Sequence, residues 1–350
     1  MNHKGSTSKI NLSSQEISDK YIYGIKLISN RDVREWVDMK KAIGLMEKAF
    51  TSFAKGRSFV PQRSISSFPD IFIDLFYKPV FCKDLGRICI KLLTQKNARF
   101  ERDRPTILGI VLLIDAETRD ILAIIDGAYL TALRTGAASG IATKYLARED
   151  ASTVAIFGCG AQGRTQLEAM CAVRPVERAF VFDKDPVASK QLKAELEAVL
   201  GIDIEIKTDT GTLKDADIIC TATNAESPLF SLKELGDGVH INAIGSYKPH
   251  MQEIDPEILK NSKIFVDSKE AVLAESGDLL KPIQEKLIPQ NCIHAGIGNL
   301  FTGEATGRQG VEEITVFKSV GLAVQDLYVA NEVYIQSNLL SATSGLFHAS

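Results

Sequence analysis

The sequence predicts an α/β chain in two parts. A doubly wound parallel sheet fills the second half, and an α+β unit fills the first half and is completed by a C-terminal helix. Three observations carry this reading. From residue 151 onward, short apolar runs alternate with helical stretches, the pattern of parallel strands joined by crossover helices. Between residues 58 and 125 the runs are short, β-rich and separated by turns, as in an antiparallel sheet. A length of 350 residues also exceeds one ordinary core and favours two domains.

The elements follow in order. Met1 to Lys20 is polar, lacks the apolar stretch of a secretory signal, and reads with its neighbours as a frayed extension over residues 1–24. Residues 31–56 place Val37, Met39, Ile43, Met46 and Phe50 at the spacing of one amphipathic helix. Strands are expected at Ile71 to Tyr77, Arg87 to Leu93, Gly109 to Asp115 and Asp120 to Ile125, the last two joined by a hairpin turn over Asp115 to Asp120. Asp126 to Ala147 reads as a helix rich in small residues, suited to close packing. Parallel strands are expected at Thr153–Phe157, Ala179–Phe182, Ile204–Lys207, Ile218–Ala222, His240–Ile244 and Ile264–Val266. Residues 315–337 read as a last helix that returns to the first part. The expected domains are therefore 25–139 plus 322–350, and 140–321.

Composition narrows the function. Hydrophobic residues make up 45% and charged residues 24%, the balance of a soluble globular protein. A net charge of −3 offers no basic excess for nucleic acid or anionic lipid. No apolar run approaches the roughly 18 residues of a membrane helix. Cys82, Cys89, Cys159, Cys171, Cys220 and Cys292 form no CxxC pair and no zinc spacing, and His240, His250 and His294 form no metal spacing. Reduced thiols, a cytoplasmic location and no metal are expected.

The strongest motif is Gly158-Cys159-Gly160-Ala161-Gln162-Gly163, a GxGxxG between an expected strand and an expected helix. Gly158 permits the turn, Gly160 lets a pyrophosphate approach, and Gly163 lets helix and strand pack closely. The helix start at Ala161 and Gln162 offers free N–H groups to phosphate. Asp183 ends the next strand, 20 residues past Gly163, where an acid grips ribose hydroxyls. This is the fingerprint of a Rossmann dinucleotide site. An acid there repels a 2′-phosphate, so NAD is expected, and Lys184 beside it leaves NADP open. Thr221 ends a further strand on the edge where ligands sit on an open parallel sheet.

Other stretches carry a family resemblance: Phe59-Val60-Pro61-Gln62-Arg63, Ile90-Lys91-Leu92, Arg104-Pro105-Thr106, Leu130 to Thr135, the glycine loop, His240 to Gly245 and Thr315 to Gly321. With these the chain resembles the ornithine cyclodeaminase/mu-crystallin family from about residue 25 to residue 337. The resemblance implies hydride transfer with NAD(P) at the α-carbon of an amino, imino or 2-oxo acid, in a homodimer whose first domain holds substrate and dimer contacts. It implies that Arg63 and Arg134 bind the substrate carboxylate, as guanidinium forks do. Lys91 becomes the active-site lysine, on the same strand face as Cys89 and Leu93. Thr106, Thr135 and Ser319 match positions near the cofactor.

One departure bears on the reaction. Cyclodeaminases of the family carry an aspartate shortly after the Asn-Ala-(Val/Ile)-Gly strand, and Tyr247 stands there in this chain. A tyrosine, with a normal pKa near about 10, is not the same base. Carboxylate capture, Lys91 and hydride transfer are untouched by the change. The expectation is thus an amino/imino-acid oxidoreductase, namely a ketimine reductase, an alanine-dehydrogenase-like enzyme or an opine-type enzyme. The alternatives are an ornithine or lysine cyclodeaminase using catalytic NAD, and a non-enzymatic ligand binder. Phe76, Tyr77 and Tyr247 are candidates for lining the side-chain pocket, with Tyr247 as a substrate contact.

Overall fold

Two short-range caps shape the start of the chain. Ser29 accepts from the Asp32 N–H at 3.3 Å and Asp32 returns to the Ser29 N–H at 2.8 Å, a reciprocal capping box. Asp38 caps a second helix through the Lys41 N–H at 2.7 Å. The single helix expected over 31–56 is therefore two, because Asp38 takes the free N–H groups of a new helix start. After β1 (Lys26–Ile28) come α1 (Asn30–Trp36) and α2 (Met39–Ala54). The structure, a computed structural model, describes residues 24–96 and 107–346; Thr106 and most of the expected N-terminal extension lie outside them.

Six strands follow: β2 (Ser58–Phe59), β3 (Ser64–Phe68), β4 (Ile73–Cys82), β5 (Arg87–Lys96), β6 (Ile107–Asp115) and β7 (Ile121–Asp126). With β1 they form a seven-stranded sheet in the order β1-β7-β6-β5-β4-β2, with β3 also on β4. It is antiparallel except at its β1 edge, which runs parallel to β7. The hairpin turn stands where expected, and Asp115 accepts from the Glu117 and Thr118 N–H groups at 3.0 Å each.

The second sheet has eight strands, all parallel: β8 (Thr153–Phe157), β9 (Arg178–Phe182), β10 (Asp203–Ile206), β11 (Ile218–Thr221), β12 (His240–Ala243), β13 (Ser262–Val266), β14 (Ile293–Gly296) and β15 (Ile314–Lys318). Their order is β10-β9-β8-β11-β12-β15-β13-β14, the doubly wound arrangement. The helices between and around the strands are α3 (Gly127–Leu146), α4 (Ala161–Val173), α5 (Pro186–Leu200), α6 (Pro256–Lys260), α7 (Lys269–Glu275), α8 (Gly277–Gln284), α9 (Ile297–Phe301) and α10 (Ala323–Leu346).

Residues 315–318, expected as helix, are strand β15 in the middle of this sheet, and the last helix starts only at Ala323. Thr315-Val316-Phe317 is β-branched and aromatic, and so short an apolar run has no readable period. Helix α10 does return to the first part. Leu322, Val324, Leu327 and Val333 share one core with Ile43, Val111 and Leu133.

The two faces of the seven-stranded sheet differ. Phe76, Lys78, Val80 and Cys82 of β4, Cys89, Lys91 and Leu93 of β5, and Val111 and Leu113 of β6 all point inward and are buried. The opposite face is apolar as well. It runs in rows across the paired strands: Tyr77–Leu92–Ile110, Pro79–Ile90–Leu112–Ile124 and Phe81–Ile88–Ile114. Phe81 is 39% and Ile110 38% exposed on this face.

Candidate active site

The antiparallel register of β4 and β5 sets Lys78 directly opposite Lys91. Both are buried, at 5% and 0% exposure. Two ammonium groups side by side on one sheet face repel each other, and helix α10 supplies the acid that pairs with Lys91 and Arg134. Asp326, in the first turn of α10, accepts from Lys91 Nζ at 2.6 Å and from Arg134 Nε at 3.0 Å on the same Oδ1. The positive end of the helix dipole favours a carboxylate there. Lys91 also donates to Thr131 Oγ1 at 3.3 Å, and Arg134 Nη1 donates to Gln325 Oε1 at 2.6 Å. The other oxygen of Asp326 is buried and has no hydrogen-bond partner among the described residues.

Burial pushes the Lys91 ammonium down to about 8, with Arg134 adding to the shift and Asp326 opposing it. Burial drives Lys78 well below the ordinary lysine range, and the charges of Arg63, Lys91 and Arg134 push the same way. Burial alone would raise Asp326, but Arg134, Lys91 and Lys78 together hold its carboxyl below the usual range.

Arg63 stands nearby. Its Nη2 pairs with Glu275 Oε2 at 2.6 Å and donates to the Tyr247 carbonyl at 2.8 Å. Its guanidinium lies 5.6 Å from the Phe76 ring centroid and 6.0 Å from that of Tyr247. The Tyr247 hydroxyl accepts from Gln95 Nε2 at 2.5 Å, and Lys248 pairs with Asp74 at 2.9 Å. These contacts tie the loop after β12 to β4 and β5. Tyr77, considered for the pocket, faces the opposite side of the sheet, because side chains alternate along β4.

An all-parallel sheet brings the C-terminal ends of its strands to one edge. The loops after β12 (Tyr247), β13 (Asp267) and β15 (Ser319 to Gly321) therefore open on the same edge as the glycine loop after β8. Asp267 Oδ2 accepts from Ser319 Oγ at 2.7 Å, Val320 N–H at 3.0 Å and Gly321 N–H at 2.7 Å. That turn aims the Gly321 carbonyl at Lys78 Nζ, 3.3 Å away.

The glycine loop has the shape a dinucleotide requires. Gly158 sits at φ +94°, and a Cβ there would come within 2.5 Å of the Ala222 carbonyl. A Cβ on Gly163 would overlap the Gly158 carbonyl. A Cβ on Gly160 would meet nothing within 4 Å, so this side of the loop is open space. Gly160 is the N-cap of α4 and gives it no side-chain cap, and the buried Gln162 Oε1 has no hydrogen-bond partner among the described residues. Ala161 is exposed at the helix start. Asp183, half-buried at the end of β9, accepts from the Cys159 N–H at 2.6 Å and the Asp185 N–H at 2.8 Å. Free helix N–H groups, an open glycine and an acid on the next strand fit a diphosphate and a ribose.

Three expected cofactor-side hydroxyls are engaged inside the protein. Thr135 donates to the Thr131 carbonyl at 2.7 Å, Thr221 to Glu253 Oε2 at 2.8 Å, and Ser319 to Asp267 as above. Sequence reasoning missed Lys78, Asp326 and Glu275. Lys78 left a signal, because it shares a period-two row with Phe76, Val80 and Cys82. Asp326 left another, as a lone acid in the apolar stretch Leu322 to Ala330. Glu275 left none.

The chain is 40% identical over 310 residues to a Δ1-pyrroline-2-carboxylate reductase of Bacillus thuringiensis subsp. konkukian, covering 88% of this chain and 95% of that protein. It superposes on the Thermococcus litoralis Δ1-pyrroline-2-carboxylate reductase solved with NADH and L-proline, with a TM-score of 0.87 and 37% identity over 90% of this chain and 98% of that one. An archaeal alanine dehydrogenase dimer with bound NAD matches with a TM-score of 0.83 and 33% identity over 91% and 97% of the two chains. The model of one family covers residues 26–340, spanning both sheets, the lysine pair and the glycine loop: the chain belongs to the ornithine cyclodeaminase/mu-crystallin family.

Proposed function

We propose that this chain is a nicotinamide-dependent imino-acid reductase whose substrate is a small cyclic 2-imino acid of the Δ1-pyrroline-2-carboxylate type. The observation that carries the reading is Lys91, a buried ammonium with a pKa brought down to about 8, set between Asp326 and Arg134. Relatives that match this chain over about nine-tenths of its length act on that substrate class, and one is solved with NADH and L-proline.

Arg63 and Arg134 bind and orient the substrate carboxylate. Lys91 gives a proton to the imine nitrogen, and Asp326 holds Nζ in place for that transfer. The open glycine loop Gly158 to Gly163 would hold the diphosphate of NADH and Asp183 its adenosine ribose, and the bound cofactor would supply the hydride for the C=N carbon. Asp183 repels a 2′-phosphate, which favours NAD over NADP. Tyr247 closes the pocket with a hydroxyl already held by Gln95, and it offers no carboxylate for deamination.

The open apolar face of the seven-stranded sheet docks a second copy. Its paired apolar rows form one contiguous face, and the archaeal alanine dehydrogenase neighbour is a dimer. The six cysteines are free, and reduced thiols fit a cytoplasmic enzyme.

The test follows NADH absorbance with Δ1-pyrroline-2-carboxylate, its six-membered homologue, and 2-oxo acids with ammonia. L-ornithine with NAD runs in parallel and is assayed for ammonia and proline. NADH loss with a cyclic imine is the expected result. Proline formed from ornithine without net NADH change would replace this reading with cyclodeamination.

A further inference from the structure

The buried charges around Lys91 are partnered unevenly. Lys91 and Arg134 share Asp326, and Arg63 takes Glu275. Asp267 is turned toward Ser319, Val320 and Gly321. Lys78 is left with the Gly321 carbonyl at 3.3 Å, and no acid pairs with it among the described residues. An ammonium carries three donors, and this one is 5% exposed. Asp326 and Glu275 act on it only at longer range, and a buried cation without a directly paired acid is costly. Replacing it by an apolar side chain would relieve both the burial and the repulsion from Lys91 opposite. A residue kept at that cost marks a site built for an anion that the protein itself does not supply.

We propose that Lys78 is the counter-ion of the substrate carboxylate and, through the same charge, the residue that excludes substrates carrying a second ammonium group, such as ornithine or lysine. The inference rests on the reductase reading and deepens it. The two arginines orient the carboxylate, while Lys78 neutralises it. Once the carboxylate is seated, Lys91 faces a neutral pair rather than a bare cation, and its own proton remains available to the imine nitrogen. A side-chain ammonium brought among these groups meets Lys78, Lys91, Arg63 and Arg134 together, and the two acids there, Asp326 and Glu275, are already paired with Lys91, Arg134 and Arg63.

The experiment compares the full chain with Lys78→Met and Lys78→Arg, all loaded with NADH. Calorimetry measures binding of L-proline, of pyrrole-2-carboxylate as a non-reacting anion, and of L-ornithine. Thermal melts are run without ligand, and kcat and KM are measured with the cyclic imine. Lys78→Met is expected to weaken both proline and pyrrole-2-carboxylate by roughly tenfold or more, mainly through KM, and to narrow the gap between proline and ornithine. Its ligand-free Tm should rise by about 2–4 °C, because a like-charge pair is gone. Lys78→Arg should restore most of the binding.

Carboxylate binding by Lys78→Met within about twofold of the parent would overturn the inference and leave the reductase reading intact. So would a lowered Tm with all three ligands weakened alike, the mark of a purely structural lysine. Conversely, a parent protein that binds carboxylates through Lys78 but oxidises no NADH with any imine would overturn the reductase reading alone.

Discussion

The two sheets use their surfaces in opposite ways. In the eight-stranded sheet, β8, β11 and β12 are buried from end to end, and the candidate cofactor groups, backbone N–H groups and glycines, sit on loops at the strand ends. In the seven-stranded sheet the chemistry sits on the face itself. Lys78 and Lys91 point into the protein, while Tyr77, Ile90, Ile110 and Leu112 point out. An antiparallel sheet ordinarily keeps its inner face apolar and its outer face polar; here two lysines stand among the apolar inner residues Phe76, Val80, Cys89 and Val111, and the outer face is apolar. On the function proposed above, the inner charges meet the substrate and the outer apolar face meets a second copy. A parallel sheet buried on both faces does not show such a contrast between its two faces.

The comparison can be broken most sharply at Lys91. Lys91→Met should lower kcat/KM for imine reduction by about 10²–10⁴ while NADH affinity stays within a few fold of the parent. A loss in NADH binding of the same size would mean that the two sheets do not divide the work. The protonation of Lys91 sharpens the point. The ammonium must carry the proton it delivers, and its pKa lies at about 8. The reductive rate should therefore hold below that pH and fall about tenfold per unit above it, while oxidation of the amino acid should rise over the same range. A reductive profile flat from pH 7 to 10 would remove Lys91 as the proton donor.

On the parallel sheet the contrast is between two glycines. Gly160→Val points into open space, so it should leave Tm within about 2 °C and weaken NADH binding about tenfold or more. Gly163→Ala meets the Gly158 carbonyl and should destabilise the fold itself. Equal melting temperatures for the two variants would contradict the loop geometry. The outer face of the antiparallel sheet gives the subtlest test. Ile110→Glu, on a residue already 38% exposed, should leave imine reduction per active site within a few fold and shift sedimentation from dimer to monomer. An unchanged sedimentation coefficient would place the interface elsewhere.

What the sequence determined by itself was local. The GxGxxG, the acid 20 residues beyond it and the alternation of strand and helix are all set by neighbours in the chain, and the parallel sheet with its dinucleotide loop could be read from them. Arg63, Lys91 and Arg134 were found through family resemblance, and strand alternation put Lys91 on the same face as Cys89 and Leu93, which the structure buries. The tertiary structure decided what those cations meet. Asp326 lies 235 residues from Lys91 and 192 from Arg134, on a helix that crosses back over the first sheet. The opposition of Lys78 and Lys91 depends on hairpin register, where a slip of one residue would send a side chain to the other face. β15 was misread as helix for a related reason: its place between β12 and β13 is a matter of sheet assembly, which a five-residue apolar run does not announce. Periodicity reports which side of an element is buried. Which charges share that buried space is set by packing between segments far apart in the chain.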